Sequence, residues 1–174
     1  MDQPKGFSDR GQRWLARIPG IRTYEDREHR REIDKRLREH LTSQLQEARS
    51  RFARLALNLS QKGELALLTE LDRLSAHTQQ MADTIRYASY GYSGIFDLPK
   101  IREEEIDQLY DFDLALVGNV EEIQAKATEL NQGLGPEGLR NQMREAEQVL
   151  DRLEQKFRQR ADFLRQSFSS PSNK

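Results

Sequence analysis

Apolar residues recur every three or four positions along most of this chain, and this spacing limits the folds that the chain can adopt. Such spacing lines up apolar side chains on one side of an α-helix, which has 3.6 residues per turn. The sequence shows no strand-like alternation. We therefore predict an all-α protein with about four long amphipathic helices. Their apolar stripes run from Ile33 to Leu59, from Leu67 to Ala88, from Ile106 to Leu130 and from Leu139 to Phe168.

Glycine and proline between these stripes predict how the helices connect. Two glycines and a proline interrupt residues 90–100. Further along, Gly133 suits a left-handed helix end, and Pro136 suits the first turn of the next helix. Because most of the connections are short, the arrangement expected is an antiparallel up-down bundle.

Residues 60–64 leave a second architecture open. Gly63 can end a helix in a tight turn, but a lone glycine is also tolerated inside a helix at a cost of about 1 kcal/mol. The turn completes the four-helix bundle. The alternative is one very long helix, over about residues 24–88, on which the last two helices pack as a hairpin.

We expect three segments along the chain. Residues 1–22 form a leader with a short basic amphipathic helix that ends at Pro19 and Gly20, residues 23–168 form a helical bundle or coiled-coil domain, and residues 169–174 form a disordered tail. Charged residues make up 33% of the chain and hydrophobic residues 36%. Such a chain buries narrow stripes, and a second apolar seam would allow it to form a homo-oligomer.

Residues suited to catalysis or metal binding are few. The chain has no cysteine and three histidines, and it contains no H-E-x-x-H motif. A di-iron bundle uses Glu-x-x-His pairs; the nearest match is Asp26 with His29, and Leu74 occupies the matching position before His77. We therefore predict no enzyme activity, no catalytic or metal-binding residue and no cofactor.

The leader combines arginines with the only tryptophan of the chain. Arg13 and Arg17 alternate with Trp14 and Ile18. One interpretation is an interfacial helix, with its apolar side in a lipid boundary and its arginines on lipid phosphates. The other is that Trp14 and Ile18 fold back and cover one end of the bundle.

An aromatic stretch follows the second long stripe. It combines large apolar side chains with glycines, and its candidate contact residues are Tyr87, Tyr90, Tyr92, Ile95 and Phe96. These rings either cap the end of the bundle or form a loop that docks a protein partner, since tyrosine is enriched in binding hot spots.

Charge is balanced overall but uneven along the chain. The net charge is −1, which gives no global attraction to nucleic acid. Residues 25–40 alternate acids and bases at helical spacing, as in Glu32 with Arg36 and Asp34 with Arg38, and predict a solvated face that pairs with itself. Residues 97–122 carry nine acids and two bases, so they can attract the basic leader within one molecule or between copies.

Asp113 stands in an otherwise apolar stripe. A buried carboxylate needs a cation or hydrogen-bond donors, and Arg86 or His77 are the partners we expect. A polar residue on a seam often sets register or oligomeric state, so Asp113 is a candidate for a buried polar seam.

These features predict a cytoplasmic, non-enzymatic scaffold or adaptor that acts through protein–protein contacts and associates with itself. Two alternatives remain: a peripheral membrane protein anchored through residues 10–22, and a nucleic-acid-binding bundle, which the balanced charge disfavours. In layout, residues 10–130 resemble phage-shock-protein A and related membrane-remodelling proteins. That resemblance implies action at a membrane surface.

Overall fold

The computed structural model describes residues 9–18, 20, 23–24, 29–88 and 101–168, and the described part is helical with no strand. A short helix precedes four long ones. Their bounds are α1 Asp9–Arg17, α2 Arg30–Lys62, α3 Leu65–Tyr87, α4 Glu103–Glu129 and α5 Pro136–Phe168. The predicted all-α fold is therefore confirmed. None of the described helices is long and apolar enough to cross a membrane.

The turn between α2 and α3 excludes the single long helix. Gly63 adopts a left-handed conformation, with φ at 73°. Its N–H donates to the carbonyl of Ser60, and the N–H of Glu64 donates to the carbonyl of Leu59. This is the Schellman pattern, which uses the last carbonyls of a helix and reverses the chain.

The other helix ends follow the predicted local chemistry, with one exception. Gly133 is left-handed, and α5 begins at Pro136. The first turn of α4 carries three glutamates, which its helix dipole favours, and Glu105 accepts a hydrogen bond from the N–H of Arg102. The exception is the start of α2: the bundle domain is predicted to begin at residue 23, but the structure begins this helix at Arg30.

The four long helices alternate in direction and form a bundle. α2 packs on α3 and α4, and α5 packs on the same two helices from the other side. α2 and α4 run parallel, because successive levels of the two helices are joined in the same order: Gln124 donates to the carbonyl of Gln44, and Asn131 donates to the carbonyl of Arg51. The bundle thus consists of two antiparallel hairpins lying side by side.

A single apolar core runs along the bundle and includes α1, which packs on α4. The predicted stripes supply most of it. Its largest apolar members are buried almost completely and come from all five helices and from the segment before α2: Trp14, Tyr24, Ile33, Leu37, Leu41, Leu45, Phe52, Leu67, Leu71, Leu74, Tyr110, Leu116, Leu150 and Leu153.

Candidate functional site

One end of the bundle contains a group of buried polar side chains, which we call the buried polar cluster. Its members are Tyr24, Asp34, Arg38, Asp113 and Arg160. The guanidinium of Arg160 lies at its centre and is 0% exposed. Arg160 Nε donates to Asp113 Oδ1 at 2.6 Å, and Arg160 Nη2 donates to Asp34 Oδ1 at 2.8 Å. One cation from α5 therefore joins carboxylates of α4 and α2.

Arg38 extends the cluster to α3. Its Nε donates to Asp34 Oδ2 at 2.9 Å, one helical turn away. Its Nη1 donates to the backbone carbonyl of Arg86 at 2.8 Å, in the last turn of α3. The end of α3 is thus fixed to the same group of charges, and all four long helices meet in it.

Tyr24 joins the chain before α2 to the cluster. Its hydroxyl donates to Asp113 Oδ2 at 2.6 Å. Its backbone N–H donates to the Tyr110 hydroxyl at 2.8 Å, and its carbonyl accepts from Arg30 Nε at 2.7 Å. These contacts explain the late start of α2, because Tyr24 bonds to other parts of the bundle rather than joining a helical turn.

Three aromatic rings cover the cluster from the side of α1. The ring of Trp14 stacks on Tyr24 at a centroid distance of 5.9 Å, and both rings contact Tyr110 at 5.9 and 5.3 Å. Aromatic pairs at such distances add about 0.5–1.5 kcal/mol beyond the area they bury. Together the rings keep water away from the ion pairs beneath them.

The charges of the cluster balance, with two carboxylates against two guanidiniums. Burial raises the pKa of Asp113, while the charge of Arg160 and the Tyr24 hydroxyl oppose that rise. Burial, and then the charge of Asp113, raises the pKa of Tyr24 well above its ordinary value. Burial alone would lower the pKa of Arg160, but Asp113 and Asp34 more than offset it and hold the pKa well above the ordinary range. Tyr24 therefore stays protonated and Arg160 stays charged.

One polar atom of the cluster remains unsatisfied. Arg160 Nη1 is buried and has no hydrogen-bond partner in the part of the chain that the structure describes. The other polar atoms of the central guanidinium, Nε and Nη2, bond to carboxylates within the bundle. Because the cluster is closed to solvent, its arrangement suits the joining of helices rather than the binding of a substrate.

The structure places the predicted buried residue Asp113 in this cluster, but with other partners than we expected. Asp113 is 0% exposed. It bonds to Arg160 and Tyr24, so the expectation of Arg86 or His77 is wrong. The physical reason is the register of α5, which brings Arg160 level with Asp113. Arg86 contributes only its backbone carbonyl to the cluster, and His77 pairs with Glu147 instead.

The leader residues predicted for a lipid interface divide between the core and the surface. Trp14 and Ile18 are buried against the bundle, whereas Arg13 and Arg17 are exposed. Arg17 pairs with Glu121 of α4 at 2.8 Å. The basic leader and the acidic stretch therefore meet within one molecule, and the apolar side of α1 is occupied by its own bundle.

The predicted docking loop falls largely outside the described residues. Tyr90, Tyr92, Ile95 and Phe96 all belong to that part of the chain. Tyr87 is the last residue of α3 and is 61% exposed, and the guanidinium carbon of Arg86 lies 5.9 Å from the centre of its ring.

Sequence reasoning missed four of the five cluster residues. Asp34 and Arg38 pair as predicted, but the pair is buried, so the prediction of a solvated face is wrong at these positions. Arg160 lies three residues after Phe157 and four before Leu164, which places it on the apolar stripe of α5. A stripe position occupied by arginine, matched with the stripe aspartate Asp113, was the available signal for a buried ion pair.

The fold and the cluster define an all-α protein of the four-helix-bundle class, with a short helix packed on α4. In comparisons with models of protein families, with curated proteins and with solved structures, the chain has no significant match.

Proposed function

We propose that this protein is a non-enzymatic helical scaffold or adaptor whose partner contacts lie at the end of the bundle where α3 ends. The observation that carries the proposal is the exposure of Tyr87 directly after Arg86, whose carbonyl is fixed by the buried polar cluster. An exposed tyrosine offers a large apolar face and a polar hydroxyl, a combination enriched in binding hot spots.

The rigid attachment of the end of α3 to the bundle supports the same proposal. Ordering a side chain at an interface costs about 0.5–1.5 kcal/mol, and a contact surface that is already fixed avoids part of that cost. The hydrogen bond from Arg38 to the carbonyl of Arg86 fixes the last turn of α3 before a partner arrives. Residues 90–96, which the sequence predicts to dock a partner, follow directly from this turn.

Photocrosslinking from Tyr87 tests the proposal. Tyr87 is replaced by benzoyl-phenylalanine in the full chain, and Ala125, exposed on the side of α4, is replaced in a matched control. We expect a discrete adduct with another protein in cell extract from position 87 and none from position 125. Equal labelling at both positions, or no adduct at position 87, would contradict the proposal.

Self-association is the second part of the proposal and has a separate test. Because the leader and the acidic stretch already pair within one chain through Arg17 and Glu121, a contact between copies has to use other surfaces. Size-exclusion chromatography with light scattering, over a wide concentration range, measures the mass. A monomer mass throughout would exclude self-association and leave the adaptor proposal standing.

The packing favours the adaptor over the two alternatives. A lipid anchor would require α1 to leave the bundle, because Trp14 and Ile18 are buried in its core. A nucleic-acid-binding face would need exposed arginines to contact phosphates. Two arginines of the charged stretch over residues 25–40, Arg30 and Arg38, are buried.

A further inference from the structure

A second group of polar side chains lies away from the buried polar cluster, between α3 and α5. His77 of α3 and Asp151 and Glu154 of α5 each place a possible ligand atom within 4.8 Å of the other two. The group is accessible from solvent, since His77 and Glu154 are half-buried and Asp151 is exposed. One imidazole and two carboxylates are a donor set that proteins use for divalent transition metals.

Glu147 orients the imidazole of this group. Its Oε2 lies 2.7 Å from His77 Nδ1. An ionised carboxylate can only accept a hydrogen bond, so Nδ1 carries the proton and Nε2 keeps its lone pair for a metal. Histidines that bind metals commonly donate their other ring N–H to a carboxylate in this way. Glu147 thus supplies an outer partner that a cluster of acids alone would lack.

The spacing on α5 brings the carboxylates to one side. Positions 147, 151 and 154 are separated by four and three residues, so they share a helix face, and that face meets α3 at His77. Arg158 pairs with Oε1 of Glu154 at 2.5 Å, which leaves the other carboxylate oxygen of Glu154 for a metal. Glu147, Asp151 and Glu154 together carry three negative charges against the one positive charge of Arg158.

An open cavity of about 270 Å³ adjoins the two carboxylates. Asp151 and Glu154 line it together with residues further along α5. A metal held by three protein ligands needs one or more further ligands, which are commonly waters. The cavity gives such waters room. We propose that His77, Asp151 and Glu154 bind a divalent transition-metal ion of the Zn²⁺ class, with Glu147 as the positioning residue.

The sequence predicts no metal-binding residue, because the three ligands come from two different helices. A motif such as Glu-x-x-His looks for ligands on one helix. Here the histidine comes from α3 and the carboxylates from α5, and only the parallel packing of these helices brings them level. The proposed metal site does not depend on the adaptor function, and each proposal is tested without the other.

Metal titration of the full chain tests the site. Isothermal titration calorimetry with Zn²⁺ measures affinity and stoichiometry for the unmodified protein and for the variants His77→Gln, Asp151→Asn and Glu147→Gln. Glu70→Gln is the matched control, because Glu70 of α3 pairs with Arg140 of α5 across the same two helices, outside the proposed site. Circular dichroism checks that each variant keeps its helix content.

We expect one Zn²⁺ per chain. Loss of a ligand in His77→Gln or Asp151→Asn should weaken binding by more than about tenfold, and loss of the outer partner in Glu147→Gln by about tenfold. Glu70→Gln should bind like the unmodified chain. Co²⁺ should give the visible absorption of a protein-bound ion that His77→Gln removes. No binding, or binding that His77→Gln leaves unchanged, would overturn the proposal and assign any metal uptake to surface carboxylates.

Discussion

The two ends of the bundle are built in different ways. At the end where α2 begins, three buried ion pairs, three aromatic rings in mutual contact and the hydrogen bond from Arg38 to the end of α3 join the helices. At the opposite end the core is apolar, with Leu55, Leu59, Leu67, Leu130, Leu139 and Met143 among its members, and α2 and α3 are joined by a tight turn at Gly63. One end is therefore held by directional contacts, and the other by apolar packing.

The bundle fixes its register at the end that holds the buried polar cluster. Apolar packing is non-directional and tolerates small shifts between helices. A guanidinium bonded to two carboxylates from different helices does not tolerate such shifts, because any slip leaves a buried charge unpaired. We infer that the buried polar cluster fixes which residues of α2, α4 and α5 are level with one another.

The largest expected effect comes from removing the central cation. Arg160→Met keeps much of the side-chain volume but leaves Asp34 and Asp113 buried without it, and breaking a buried pair in this way costs about 3–5 kcal/mol. Urea unfolding followed by circular dichroism measures the loss. The control is Arg152→Met, because Arg152 makes an exposed pair with Glu122 and should cost less than about 1 kcal/mol. Equal losses in the two variants would remove the contrast between the two ends.

Much of the fold could be predicted from the sequence, because helix formation is a local property. The apolar stripes, the turn at Gly63 and the start of α5 at Pro136 each depend on residues close together in the chain. The start of α2 could not be predicted in the same way. It depends on Tyr24 bonding to Tyr110 and Asp113, which are more than eighty residues away.

The cluster could be predicted only in part, for a related reason. Asp113 was visible because a carboxylate on an apolar stripe is unusual. Asp34 and Arg38 also satisfy the pattern of an exposed pair four residues apart, and nothing local separates the buried case from the solvated one. Which pair is buried is decided by the neighbouring helix that supplies Arg160.

A smaller effect is expected from the Tyr24 hydroxyl, which joins the chain before α2 to the cluster. Tyr24→Phe leaves Asp113 Oδ2 without its donor and should cost about 1–3 kcal/mol near neutral pH. The folded state keeps the Tyr24 proton where the unfolded state loses it, because burial and Asp113 raise its pKa. The contribution is therefore complete below a pH of about 10 and falls as the pH rises further.

Unfolding free energies measured across this alkaline range test whether the contribution of the Tyr24 hydroxyl falls as the pH rises. The difference between the unmodified chain and Tyr24→Phe should shrink as the pH rises above about 10. Tyr87→Phe is the matched control, because Tyr87 is exposed. A difference for Tyr24→Phe that grows with pH would contradict the burial of a protonated hydroxyl in the cluster.

The stability of the apolar end should depend on the backbone conformation of Gly63. Gly63→Ala places a β-carbon on a left-handed residue, which costs about 1–2 kcal/mol, and no neighbouring atom adds a clash. The control is Gly118→Ala, which lies within α4 with open space around it and should stabilise the fold by about 0.5–1 kcal/mol. Thermal unfolding distinguishes the two variants. A Gly63→Ala protein as stable as the unmodified chain would argue against the left-handed turn.

The smallest expected effect is the coupling energy of an exposed ion pair. Comparing it with a buried pair of the same spacing separates the effect of burial from that of the sequence pattern. Glu32 with Arg36 and Asp34 with Arg38 have the same spacing in the same helix, but only the second pair is buried. A double-mutant cycle on Glu32 and Arg36 should give a coupling energy of about 0.3–0.5 kcal/mol that salt reduces. The same cycle on Asp34 and Arg38 should give a clearly larger value that salt hardly changes, since that pair is buried. Equal coupling in the two cycles would mean that the spacing along the helix, and not the surrounding bundle, determines the strength of the pair.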